Sequence, residues 1–174
     1  MKYLALFASL FLCISAFAQE ADSSILSQVA TDEGTLEPDN ILAQVYLIRG
    51  AEFFENKNDP DADPIQTVTD AKRGDELYVV VYFTNPQKDG QGIAKVTYSL
   101  TMKLPNGQSF DQKDLMGASG GLSDQIQNSW IMAAAHPKIV LSSQYPAGTY
   151  TFSVKVQDHM SGKTYDSSID VDIK

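Results

Sequence analysis

The acidic stretch DPDADPIQTVTD carries carboxylates at a spacing that can bind a hard cation. Its four aspartates occupy positions 1, 3, 5 and 12 of an EF-hand-like calcium loop: Asp59, Asp61, Asp63 and Asp70. Position 6 is Pro64, where an EF-hand needs glycine for its sharp turn, and position 12 lacks the longer glutamate. Two alternatives stay open for residues 59–70, which we call the acidic loop: a calcium loop of another kind, or a solvated connection between strands.

A second stretch, GASGGLSDQIQNSWIMAAAH, resembles two pieces of a trypsin-type serine protease, with Ser119 as nucleophile and His136 as base. The order is wrong for that chemistry, because the histidine of that family precedes its serine by well over a hundred residues. Here His136 follows Ser119 by 17 residues, and Ala118 replaces the aspartate of the G-D-S-G-G motif. We therefore predict a non-catalytic chain with no catalytic and no cofactor-binding residues.

Two other patterns in the sequence could serve as binding motifs. Copper can be held by histidine and methionine, but the candidates do not cluster in the sequence: His136, His159, Met102, Met116, Met132 and Met160. The tripeptide Arg73-Gly74-Asp75 also occurs in integrin ligands. Its position before an apolar run predicts a turn that leads into a strand.

The elements that would hold these residues are strands. Residues 41–50 are rich in β-branched and aromatic residues, and residues 77–83 are apolar on both faces, which predicts a central strand. Residues 93–104 and 149–157 alternate between polar and apolar side chains. Asn106-Gly107 predicts a hairpin turn directly after the first of these strands. We expect GASGG to form a flexible loop, and residues 125–135 fit either strand or helix. The pattern predicts an all-β antiparallel sandwich of about seven or eight strands.

Three motifs carry a resemblance to a known class. RGDELYVVVYFTN, then KLPNGQ, then YPAGTYTFSVKVQDHMSGKTYDSSIDVDI resemble the immunoglobulin-like and fibronectin-III-like domains of exported bacterial proteins over roughly residues 70–174. The resemblance implies an immunoglobulin-like sandwich and names no function, because that class serves many functions. Within it, Pro146, Gly148 and Tyr150 predict a tyrosine corner, in which the phenol hydroxyl returns to the backbone of the preceding turn.

The ends and the charge indicate where such a domain would work. Residues 1–18 predict a signal peptide, with Lys2 before an uncharged run and Ala16-Phe17-Ala18 as the cleavage motif. Residues 19–40 predict a disordered acidic segment, and residues 41–174 a single sandwich domain. Cleavage would remove the single cysteine and leave 12 basic and 22 acidic residues, a balance that disfavours nucleic acid and anionic membrane as partners.

Three functional hypotheses follow. The first is a periplasmic or secreted binding or structural module that contacts an unknown protein or carbohydrate through loops at the sandwich ends or an exposed edge strand. The second is a calcium-stabilised adhesion or carbohydrate-binding domain that uses the acidic loop. The third is a periplasmic metal carrier or an enzyme.

Overall fold

The computed structural model of the protein describes residues 41–56, 65–122 and 129–174. The predicted signal peptide, the predicted disordered segment and three candidate calcium ligands, namely Asp59, Asp61 and Asp63, lie outside the described residues. In the described part, no helix is long and apolar enough to cross a membrane.

Within those ranges the chain forms strands and one short helix. In chain order they are β1 (Ala43–Arg49), α1 (Glu52–Asn56), β2 (Asp70–Ala71), β3 (Glu76–Phe83), β4 (Ile93–Lys103), β5 (Ser109–Gly121), β6 (Ile131–Met132), β7 (Lys138–Val140), β8 (Gly148–Asp158) and β9 (Thr164–Ile173).

The strands form two sheets. In sheet A, β3 pairs with β1 on one side and with both β6 and β7 on the other. Sheet B has the order β2-β9-β8-β4-β5. Every pairing is antiparallel except the two-residue contact of β2 with β9. The prediction of an all-β, largely antiparallel sandwich is confirmed.

The core lies between the two sheets, and alternation in the sequence predicted its sheet B wall correctly. Successive residues of a strand point to opposite faces, so one polar and one apolar set produce one wet and one dry face. The predicted inward residues are all buried: Ala94, Val96, Tyr98, Leu100, Met102 and Leu104 from β4 and its end, and Tyr150, Phe152, Val154 and Val156 from β8. The central-strand prediction for β3 is also confirmed, because Leu77 and Val79 to Phe83 are buried on both faces of sheet A.

One side of the sandwich is closed by a segment that passes from sheet A to sheet B. The Val68 amide donates to the Leu47 carbonyl at 2.7 Å, which covers the outer edge of β1. Two residues later the same segment forms β2 and pairs with the end of β9. The chain thereby covers part of the edge of each sheet with a single crossing.

The opposite side is closed in the same way at one end. The Ala133 amide donates to the Val81 carbonyl of sheet A, and the next two amides, of Ala134 and Ala135, donate to the Gly117 and Met116 carbonyls of β5 in sheet B. Residues 129–135 are thus extended, which resolves the strand-or-helix alternative in favour of extended chain for that described portion. Alanines favour helix, but the two sheet edges offer these amides partners that a helix would not supply.

The expectation of a flexible loop at GASGG is wrong. Residues 117–121 form the end of β5, and the pairs run from Val96–Ala118 to Ile93–Gly121. Gly117 lies at an irregularity in the register, where a β-carbon would stand 2.9 Å from Val96 Cγ1 and 3.0 Å from the Val96 carbonyl oxygen. The glycine therefore permits a close approach of two strands, which is one of the uses of glycine within sheets.

The tyrosine corner is present as predicted. Tyr150 is fully buried, and its hydroxyl donates to the Pro146 carbonyl at 2.7 Å. A second buried tyrosine performs a similar task, because the Tyr98 hydroxyl donates to the Ala135 carbonyl at 2.6 Å and ties the crossing segment to β4. Burial raises the pKa of both phenols.

Candidate binding face on sheet A

The outer face of sheet A carries a second apolar layer, separate from the core between the sheets. The residues of β1, β3 and β6 that point away from the core build it, and α1 and two flanking residues pack on it. We call this surface the aromatic face: Tyr46, Ile48, Phe53, Phe54, Ile65, Tyr78, Val80, Tyr82, Trp130 and Met132.

The centre of the aromatic face is an edge-to-face pair of tyrosines. The Tyr46 and Tyr82 rings lie 5.7 Å apart with planes at 86°, the arrangement that aromatic quadrupoles favour. The Tyr46 hydroxyl donates to Gln44 Oε1 at 2.6 Å. Burial raises the pKa of both phenols, and the neighbouring Tyr46 adds to the rise at Tyr82. Both groups are therefore neutral under ordinary conditions.

Helix α1 covers one end of the aromatic face. The centroid of the Phe54 ring lies 5.2 Å from that of Tyr78 and 4.9 Å from that of His136. The Phe53 and Phe54 rings meet edge to face with their centroids 5.3 Å apart. The helix has only five residues, so its position depends on these ring contacts rather than on its own helical stability.

Among the residues that the structure describes, cover over the aromatic face is incomplete. Val80 and Tyr82 are buried at 0% and 4% exposure, whereas Tyr46, Phe53, Trp130 and Met132 are each partly exposed. The partly exposed rings are held in place by buried neighbours. They therefore offer apolar contact area that is already ordered.

The outer face of sheet B has the opposite character. Its side chains are mainly short and polar, and three of its hydroxyl–carboxylate pairs are Thr101–Asp111, Thr149–Asp172 and Thr151–Asp170, at 2.6 to 2.7 Å. In the described part of the chain no aromatic ring points from β4, β8 or β9 to this side. One outer face is thus solvated and the other is apolar.

The acidic loop is described only from Ile65 onward. Thr67 accepts a hydrogen bond from the Leu47 amide through Oγ1 at 3.2 Å. Asp70 begins β2, and its Oδ2 lies 3.5 Å from Lys174 Nζ, with both side chains exposed. The structure thus places the ammonium group of Lys174 beside this candidate calcium ligand. The calcium hypothesis for Asp59, Asp61, Asp63 and Asp70 stays a prediction.

The two residues of the protease-like stretch face different surfaces. Ser119 is exposed on β5, opposite the outward-facing Lys95 of sheet B. His136 packs its ring against Phe54 at the aromatic face. The geometry adds nothing to the protease resemblance.

The candidate copper ligands are dispersed as well. His159 Nε2 lies 2.8 Å from Thr97 Oγ1, Met102 is in the core, and Met132 belongs to the aromatic face. Met116 and Met160 are exposed. Among the described residues, no group of three histidine, cysteine or acidic side chains is placed to hold a metal ion.

Arg73-Gly74-Asp75 forms the predicted turn before β3. Gly74 has a φ of 98°, in the region that favours glycine. Asp75 Oδ2 accepts hydrogen bonds from Arg49 Nε at 3.2 Å and from the Lys72 amide at 3.0 Å, and Arg73 Nε donates to the Tyr145 carbonyl at 3.2 Å. All these contacts secure the turn itself.

Comparison with known proteins gives no family. No protein-family model matches the sequence, and no curated relative matches it. Among solved structures, a family 123 glycoside hydrolase from Clostridium perfringens aligns at 19% identity over 76% of this chain with a TM-score of 0.40, and this chain spans 27% of that hydrolase. A CARDB domain from Pyrococcus furiosus, in complex with di-metal ions, aligns at 11% identity over 84% of this chain and 100% of its own, with a TM-score of 0.40.

A third solved structure is a Niemann-Pick type C2 protein from the Japanese carpenter ant. It aligns at 12% identity over 91% of this chain and 100% of its own, with a TM-score of 0.43. At these scores the likenesses assign neither a family nor a ligand to this chain.

Sequence reasoning did not identify the aromatic face. The signal was present, since β3 is apolar on both faces and Tyr46 and Ile48 alternate with the core residues of β1. The missing information was that Phe53, Phe54 and Trp130 pack on the same side of sheet A.

Proposed function

We propose that this protein is an exported, non-catalytic binding module that contacts a protein partner through the aromatic face. One observation carries the proposal: a sandwich with a complete core has a second apolar layer on one outer face, while its other outer face is polar. A solvated antiparallel sheet needs apolar residues on one face only. The second layer therefore requires another explanation, and partial cover by another protein is a common one.

The composition of the aromatic face favours a protein over a sugar. Tyrosine, tryptophan and methionine are enriched at the centres of protein interfaces, and tyrosine and tryptophan dominate their energetic hot spots. A carbohydrate would need several hydrogen-bonding groups. At the centre of this face the Tyr46 hydroxyl already donates to Gln44, while Ile48, Val80 and Met132 offer only apolar or weakly polar surface.

The order of the face also favours binding. Tyr46 is packed edge to face on the buried ring of Tyr82, so little side-chain freedom would be lost when a partner covers it. Immobilising a flexible side chain costs about 0.5–1.5 kcal/mol at an interface, and a ring that is already held avoids most of that cost.

Export and the absence of catalysis belong to the same proposal. The signal-peptide pattern at residues 1–18 supports export to the periplasm or beyond. The different surfaces faced by Ser119 and His136 support a non-catalytic role.

The test uses the exported protein and two sets of single variants. Proteins from the exported fraction of the source cells are captured on the immobilised protein, and each candidate is purified and titrated while the fluorescence of Trp130, the single tryptophan, is followed. We expect Tyr46→Ala and Met132→Ala to weaken binding of the true partner, by about 30-fold for Tyr46 if it is a hot spot worth about 2 kcal/mol. Because the proposed module is non-catalytic, the mass of the partner should be the same before and after binding.

Matched controls lie on the outer face of sheet B. Thr164→Ala and Ser168→Ala change exposed residues of β9 and should leave binding within about twofold. If folded Tyr46→Ala and Met132→Ala proteins bind the purified partner as tightly as these controls do, the aromatic face is not the contact surface.

A further inference from the structure

The outer edge of β5 is open where the crossing segment does not reach it. The amides of Ala134 and Ala135 cover β5 only at Met116 and Gly117. From Ser109 to Lys113, no backbone group in the described part of the chain pairs with the outer edge of sheet B. Such an edge is a template for another strand.

Two side chains along this open edge carry opposite charges. Asp111 and Lys113 both lie on the outer side of sheet B, one on each side of Gln112, and both are exposed. Asp114 ends the regular stretch, since its φ of 56° marks a bulge at which Ser99 faces both Lys113 and Asp114. The usable edge is therefore short and has a defined centre.

We propose that this edge pairs with the same edge of a second copy of the chain, antiparallel and centred on Gln112. A twofold axis at Gln112 places Asp111 opposite Lys113 of the second copy and Lys113 opposite Asp111 of the second copy. Opposite charges directly across two strands stabilise the pair, and like charges destabilise it. The sequence at this edge is thus complementary to itself, as an isologous interface requires.

Phe110 is an exposed apolar side chain beside the open edge. It is 44% exposed, which is unusual for a phenylalanine, and in the described residues its ring neighbour is Tyr145 at 6.5 Å. It lies two residues before the axis, on the inner side of sheet B, where the twofold register places it opposite Asp114 of the second copy at the bulge.

The geometry gives the dimer a defined shape. The twofold axis of an antiparallel strand pair is perpendicular to the plane of the sheet. It joins the two B sheets into one continuous sheet, and both A sheets then lie on the same side of that sheet. If the aromatic face binds a partner, as proposed above, the dimer presents two such faces in the same direction. Binding to a partner with repeated sites would then gain from avidity.

The experiment measures self-association of the mature protein by sedimentation equilibrium. The paired edge is short, so the interface falls below the roughly 1,200 Å² of standard complexes, and we expect a dissociation constant on the order of 100 µM. Wild type is therefore compared with variants up to about 1 mM at low and high salt, because salt screens exposed charge pairs.

Charge reversal makes the test specific. Asp111→Lys places like charges opposite each other twice per dimer, as does Lys113→Asp, and each is expected to weaken the dimer by about tenfold. The double variant Asp111→Lys/Lys113→Asp restores both pairs and should return to within about threefold of wild type. Loss of the hydrogen bond from Thr101 to Asp111 is common to Asp111→Lys and the double variant, so it cannot produce the rescue.

A second pair on the same face serves as the control. Lys155 and Asp166 interact at 3.7 Å within one chain, on strands away from the open edge. Reversing either should leave self-association unchanged. A wild-type protein that stays monomeric throughout the range would overturn the proposal, and so would a dimer that the single reversals leave intact or the double variant does not restore.

Discussion

Replacing Tyr150 with phenylalanine removes one hydroxyl group from the buried corner at the start of β8. The phenol is fully buried and donates to the Pro146 carbonyl at 2.7 Å, so the variant keeps the ring in the core and loses the hydrogen bond. The change thus isolates the contribution of the corner from that of core packing.

The expected cost follows from the two partners. A typical intramolecular hydrogen bond contributes about 0.5–1.5 kcal/mol, and a buried acceptor left without a donor adds a penalty of about 1–3 kcal/mol. The hydrogen bond is only partly buried, so we expect only part of that penalty. We therefore expect a loss of about 1 kcal/mol in the free energy of unfolding, or about 3–6 °C in the melting temperature. Tyr150→Ala also leaves a cavity and should cost about 3–5 kcal/mol.

Equilibrium urea denaturation measures both variants, and Tyr165→Phe provides the control. Tyr165 is 36% exposed on β9, so loss of its hydroxyl should change stability by less than about 0.5 kcal/mol. If Tyr150→Phe costs no more than Tyr165→Phe, the corner hydrogen bond does not stabilise the fold.

Three further predictions concern alkaline stability, strand packing and calcium. Burial raises the pKa of the Tyr98 phenol above its unfolded value of about 10, so the contribution of the neutral phenol to stability is complete below about pH 10 and is lost as the pH rises toward the pKa in the folded state. In melting experiments above about pH 10, Tyr98→Phe should therefore lose stability less steeply than wild type. Gly117→Ala should destabilise the protein by about 1–3 kcal/mol in urea, because the new carbon would meet Val96 at 2.9 Å, whereas Gly121→Ala, with nothing within 4 Å, should be near neutral. If the acidic loop binds calcium, millimolar calcium should raise the wild-type melting temperature and changing the first three loop aspartates to asparagine should abolish the rise; no rise in wild type would end the calcium hypothesis.

Local patterns in the sequence were sufficient for much of the fold. In β4 and β8 the alternation of polar and apolar residues identified the inward face correctly, because the period of two is a property of the strand itself. The tyrosine corner was equally readable, since Pro146, Gly148 and Tyr150 lie within five residues and the hydrogen bond closes inside that span.

Tertiary contacts decided the features that distant segments share. GASGG became strand because the start of β4 offered a pairing partner and Val96 left room only for glycine, and neither fact is local to the five residues. The alanines of residues 133–135 became an extended crossing because their amides donate to carbonyls on two sheet edges, Val81 in sheet A and β5 in sheet B.

The two candidate surfaces show the same division. Tyr46, Phe54, Tyr82 and Trp130 are far apart in the sequence, and the pairing of β1 and β6 with β3 and the position of α1 bring their rings to one face. The charges of Asp111 and Lys113 are visible in the sequence, but their meaning depends on which strand is left at the sheet edge. The sequence by itself determined which residues of each strand share a face, because that depends only on backbone geometry. The packing of the whole sandwich decided which of these faces and which strand edges stayed open to a partner.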